Sequence, residues 1–209
     1  MNPYSIFPLL SAVGFLSLGI LAFVKGREHF LVRGTFLLEC TVTFWWQFNW
    51  FVLFNIKDNF LASIIAKTGY SGIIFIPIAY LHFYHAMLNK PSKWIKIYYV
   101  IGFFFLIFLW KTDFFISGTY KFFWGYYPKA SIIHPLYLLY LTILSSHCFY
   151  TLISAGKAIQ WKGLLGNQVK YLALALFLYS LASSDFIVNY GIEFYPLGAV
   201  FVFLSLIHI

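Results

Sequence analysis

Residues 6–24 read IFPLLSAVGFLSLGILAFV and stop at Lys25-Gly26-Arg27-Glu28-His29. A helix rises ~1.5 Å per residue, and about 20 mostly apolar residues cross the ~30 Å hydrocarbon core of a bilayer. The run is long enough to span, and the charged turn that ends it belongs in water. It has neither the basic n-region nor the small-residue cleavage site of a secretory signal peptide, so it reads as a retained span.

Working outward, the pattern recurs. Further apolar runs cover about 35–56, 70–88, 95–110, 135–155, 171–189 and 195–209, divided by connections such as Lys57-Asp58 and Asn89-Lys90-Pro91. Composition agrees: 62% hydrophobic, 23% aromatic and 10% charged, where a soluble domain carries roughly 25% charged residues. Inside lipid no water satisfies the backbone, so only helices or a closed barrel can cross. Continuous apolar runs, rather than ~10-residue alternation, select helices. The expected fold is therefore an all-α integral membrane protein, a seven-transmembrane helix bundle forming one domain over residues 1–209.

The run from Tyr195 to Ile209 reaches only ~22 Å as a helix. The expectation is that this last helix is truncated and that the chain is a fragment. The longest connection, Lys111 to His134, is rich in Phe, Tyr, Trp and Gly, and is expected to lie along the outer membrane surface, with a cover over a pocket as the alternative.

Charge sets the expected orientation. The first, third and fifth connections hold Lys25, Arg27, Arg33, Lys90, Lys93, Lys96, Lys157, Lys162 and Lys170; the others hold Lys57, Lys67, Lys111, Lys121 and Lys129. Cations mark cytoplasmic loops, which puts the N-terminus outside and the C-terminus in the cytoplasm. The net charge of +8 then reads as topology and attraction to anionic lipid, not as a nucleic-acid footprint, which would need a clustered basic face. The two cysteines, Cys40 and Cys148, fall within apolar runs and read as packing residues.

Polar groups inside a bilayer are costly, which makes each a functional suspect. Glu39 is the foremost. Thr43, Trp46 and Trp50 share its helical face, with Gln47 at the edge of the stripe. The stripe suggests a bundle-facing polar seam or ligand cavity. The plainer alternative has Glu39 one turn inside the cytoplasmic interface, snorkelling or paired with Arg33. His82 and His85 lie three apart on the third span. Two imidazoles at that spacing can share a metal, but a site needs three or four ligands, and hydrogen bonds to neighbouring helices are the alternative. Ser180, Ser183 and Ser184 suit close helix packing or interhelical hydrogen bonds, and Asp185 with Glu193 could shape the mouth of an outer pocket. No nucleophile elbow, phosphate-binding glycine loop or metalloprotease helix is present in the sequence. No cofactor and no metal is expected, and no enzymatic activity in this polypeptide.

Several local patterns occur in a fixed order: Ile76-Pro77-Ile78-Ala79-Tyr80-Leu81-His82-Phe83, Trp124-Gly125-Tyr126-Tyr127-Pro128, Gln168-Val169-Lys170-Tyr171, Asp185-Phe186, and Tyr190-Gly191-Ile192-Glu193-Phe194-Tyr195-Pro196-Leu197-Gly198. In this the chain resembles the N-terminal seven-transmembrane region of bacterial sensor histidine kinases. The resemblance implies a multi-pass protein of the bacterial plasma membrane, with dimerisation and kinase modules following the seventh span. It implies a homodimer formed through that output, and a signalling role without catalysis by this region. No binding residue comes with it. The lipid bilayer is the expected surrounding, and a small apolar or amphipathic ligand a candidate stimulus. His134, His147 and His208 lie in or beside apolar runs and are poor phosphoacceptors. The competing readings are a small carrier or channel using Glu39 and His82/His85 as a proton or ion path, and a metal-dependent membrane enzyme.

Overall fold

The computed structural model describes residues 1–206. His208 and the final residues of the expected seventh span lie outside the described residues. The chain is mostly helical: α1 (Ile6–Lys25), α2 (Phe30–Asn55), α3 (Asn59–Ile73), α4 (Ile76–Met87), α5 (Trp94–Lys111), α6 (His134–Ala158), α7 (Gly163–Leu181) and α8 (Gly198–Leu206). A 3-10 segment, Ala182–Tyr190, continues α7, and an antiparallel hairpin, β1 (Ile116–Phe122) and β2 (Gly125–Ala130), follows α5.

Among the described residues, five helical stretches are long and apolar enough to cross a membrane: Pro3–Lys25, Asn59–Met87, Trp94–Lys111, His134–Ala158 and Gly163–Tyr190. Their outward faces are apolar, with Val13, Val100, Phe104, Ile107 and Leu139 exposed, while Ser11, Glu39, Gln47, Asp185 and Asn189 are buried. Exposed apolar faces around buried polar groups invert the pattern of a water-soluble core and fit a lipid surround. The α2 helix, 26 residues long, is the inner one: it packs against α1, α3 and α4 and touches β2, and with its polar stripe it is not among the five. The α8 helix sits between α1 and α7, and α6 between α4 and α7.

The α1–α2 crossing is close because Gly19 has no side chain; a Cβ there would lie 2.6 Å from Cβ of Cys40, so a small residue is needed for the two backbones to meet. The bend between α3 and α4 has an equally local cause. Pro77 has no N–H to donate to the Ile73 carbonyl four residues back. That carbonyl instead accepts from the hydroxyl of Tyr137 at 3.3 Å. A neighbouring helix thus supplies the bond the proline removed.

Three expected boundaries need correction. The third apolar run was placed at 70–88, yet the helix begins at Asn59, with Asp58 accepting from the Leu61 N–H at 2.7 Å as its cap. Lys67 therefore lies within α3, where it pairs with Asp113 at 3.0 Å. The sixth was placed at 171–189, yet α7 starts at Gly163 and tightens to 3-10 geometry after Leu181. The second, placed at 35–56, starts at Phe30, where the His29 ring caps the Leu31 N–H. The aromatic connection also does more than lie on a surface. It folds into the hairpin and buries Phe115, Ile116, Trp124 and Tyr127 against the bundle. Asn2 ties the N-terminus to this end, donating from Nδ2 to the carbonyls of Phe54 and Trp124 at 2.8 and 2.7 Å.

Candidate functional site

The stripe on α2 turns inward along its whole length: Glu39, Thr43, Trp46, Gln47 and Trp50 are all buried. Glu39 is 0% exposed, which overturns the snorkelling alternative. Its carboxyl accepts from the Thr43 hydroxyl at 3.1 Å and from the Cys40 thiol at 3.4 Å. Arg33 does not pair with it; the guanidinium donates to the Phe23 carbonyl at 2.7 Å. The Thr43 hydroxyl also lies 3.4 Å from that of Tyr179 on α7, so the seam is bonded across the bundle. Gln47, one turn further out, is buried with both amide atoms lacking a protein partner.

Beyond this seam, toward the hairpin, a cavity of about 300 Å³ opens between α2, α3, α4, α6, α7 and the 3-10 segment. Trp46 and Trp50 belong to its wall; Glu39, Thr43 and Gln47 lie behind that wall. The aromatic lining is continuous. Trp50 meets Tyr127 edge-on at 5.7 Å and Trp46 at 6.2 Å, and Tyr179 bridges Trp46 to Tyr80 at 6.2 and 5.1 Å. Edge-to-face contacts at 4.5–7 Å are the favoured aromatic geometry. Asp185 closes the outer end. It is 4% exposed, and the backbone N–H of Gly198 donates to both its oxygens at 2.9 and 3.0 Å. Tyr127 donates to the Asp185 carbonyl at 3.4 Å, and burial beside Asp185 pushes the Tyr127 phenol well above its ordinary range. The rim, formed by Thr142, Ser146 and Ser183, is exposed on the flank between α6 and the end of α7.

His82 and His85 do not join this site. His82 Nδ1 is 3.3 Å from the Tyr99 hydroxyl on α5, while His85 bonds the Lys90 carbonyl and stands edge-on to His147 at 5.9 Å. Only His82 thus bonds a neighbouring helix; His85 closes the turn after its own. Among the described residues there is no group of three or more His, Cys, Asp or Glu that could hold a metal. The serines of α7 and the 3-10 segment spend their hydroxyls on nearby carbonyls, Ser180 on Leu176 and Ser183 on Ser180, and Ser180 and Ser183 then line the cavity.

One arrangement had no signal in the sequence. His134 is fully buried and bridges two tyrosines, its Nε2 2.9 Å from the Tyr70 hydroxyl and its Nδ1 2.9 Å from that of Tyr190. Asn189 donates to the same Tyr70 hydroxyl. The network locks α3, α6 and the 3-10 segment around the outer end of the cavity, and its members are too far apart in sequence to form a motif.

No protein-family model matches the chain, and no curated protein matches it. The functional reading therefore rests on the geometry.

Proposed function

We propose that this chain is the membrane-embedded sensory input region of a bacterial signal-transduction histidine kinase. In this reading α2 and α8 cross the bilayer with the five more apolar stretches, the hairpin faces outside, and the basic turns face the cytosol. The observation that carries it is the double role of Asp185, which lines the cavity and also holds the first residue of α8. A small apolar or amphipathic molecule in the cavity that favours one arrangement of this contact shifts the population of α8 positions, and α8 passes the shift to an attached output module.

The grouping of Lys25, Lys90, Lys93, Lys157 and Lys162 at helix ends remote from the hairpin supports the orientation. The carrier reading needs Glu39, His82 and His85 along one path, and the three face different neighbours. Sequencing the gene past Ile209 tests the proposal. An open frame entering a soluble helix with a His-Glu phosphoacceptor box is the expected result; a stop codon directly after Ile209 makes this a stand-alone membrane protein and ends the kinase reading.

A further inference from the structure

We propose that the cavity takes a lipophilic organic cation, with its ammonium group between the Asp185 carboxylate and the aromatic wall and its apolar body toward the flank between α6 and α7. The inference rests on the reading of this cavity as a ligand site and deepens it by naming the ligand chemistry.

Five observations converge. Asp185 is buried, and the salt bridge among the described residues, Lys67 to Asp113, leaves it without a cationic partner. A cation bound beside Asp185 stabilises its ionised form in this buried position, and no protein group among the described residues supplies one. Capping α8 does not exhaust the carboxylate: Gly198 contributes one N–H, and an ionised carboxylate offers about four lone-pair sites. The walls beside it are rings of Trp and Tyr, whose faces attract alkylammonium groups; Trp50, Tyr70 and Tyr127 stand nearest the Asp185 end, with Trp50 in contact with both tyrosines. No Lys, Arg or His is among the described lining residues, so an anionic ligand would find no counter-charge and would meet Asp185. The remaining walls, among them Leu141, Phe149 and Ile73, accept an apolar body, and the exposed rim at Thr142 and Ser146 faces the lipid side, where such a molecule partitions.

The test compares benzyltrimethylammonium with neopentylbenzene, its uncharged carbon isostere, by quenching of Trp fluorescence in purified protein held in lipid nanodiscs. Wild type is expected to bind the cation at least about tenfold more tightly at equal free concentration, the scale of a desolvated cation–π contact with a carboxylate beside it. Asp185→Asn keeps an acceptor for the Gly198 N–H and is expected to bring the ratio to about one. A wild-type ratio of one or less, a ratio unchanged in D185N, or no binding of either compound overturns the proposal. Should D185N fail to fold, the wild-type ratio still decides, and Trp46→Leu, which keeps the carboxylate and removes part of the wall, is expected to lower cation affinity. Binding of both compounds with no preference for charge removes the cation while leaving the receiving cavity in place. The kinase reading stands or falls separately, on the gene downstream.

Discussion

The backbone N–H of Gly198 donates to both carboxylate oxygens of Asp185, and a Cβ at position 198 would fall 2.1 Å from Oδ2. Only glycine lets the start of α8 approach the 3-10 segment this closely, so the contact is a fixed point between the cavity wall and the last described helix. Gly198→Ala is predicted to push the two apart. The expected loss is about 1–3 kcal/mol of stability, the usual cost of forcing a methyl into a packed site. Thermal unfolding in detergent measures it, together with faster amide exchange across α8; a wild-type melting curve and unchanged exchange would show that the contact does not hold α8.

The Tyr137 hydroxyl replaces the hydrogen bond that Pro77 cannot donate to the Ile73 carbonyl. Tyr137→Phe is therefore predicted to cost about 1–2 kcal/mol by leaving a buried carbonyl unpaired. In a Pro77→Ala background residue 77 regains its N–H, and the same substitution should cost less. A double-mutant cycle that shows simple additivity rules the compensation out.

Glu39 is held by Thr43 and Cys40 rather than by Arg33. Glu39→Gln keeps an acceptor for the threonine hydroxyl and is predicted to stay within about 1 kcal/mol of wild type. Glu39→Ala opens a void and strands its donors, at about 2–4 kcal/mol. Combining it with Arg33→Met should be additive within about 0.5 kcal/mol; strong coupling would show that the two side chains interact after all.

Burial beside Asp185 raises the Tyr127 phenol above its ordinary range. Above the unfolded value of about 10, the unfolded chain releases this proton while the folded chain retains it, so the folded state loses stability as pH rises. At lower pH both states hold the proton and the effect is absent. Tyr127→Phe is predicted to flatten the alkaline limb of the stability profile; an unchanged limb would contradict the assignment.

The helical, apolar character of the chain was legible because apolar length and terminal cations are written into single stretches of chain. So was the inward face of α2, since Glu39, Thr43, Trp46 and Trp50 recur at helical spacing. Asn59–Gly69 escaped because Ser63, Lys67 and Thr68 break the apolar run; Lys67 is stabilised by Asp113, 46 positions away, a partner that hydropathy does not register. The hairpin escaped because aromatic-rich segments have no distinctive period when both faces carry rings, and Trp124 is buried against Phe54 and Tyr195 from elsewhere in the chain as well as its neighbour Phe122. Of the cavity wall, the sequence pointed to Trp46 and Trp50 as a stripe and to Asp185 at an outer pocket mouth. What the sequence did not carry is the contact of Asp185 with Gly198, 13 positions on, which only the fold brings together.

The proposed threading puts the hairpin outside and the basic turns in the cytosol. Single cysteines at Phe123, 69% exposed on the hairpin, and Leu164, 78% exposed at the start of α7, can be placed in a background lacking Cys40 and Cys148. Intact cells are then treated with a membrane-impermeant maleimide. Phe123→Cys is expected to be labelled at once and Leu164→Cys only after lysis. Labelling of Leu164→Cys in intact cells, with Phe123→Cys protected until lysis, would contradict it.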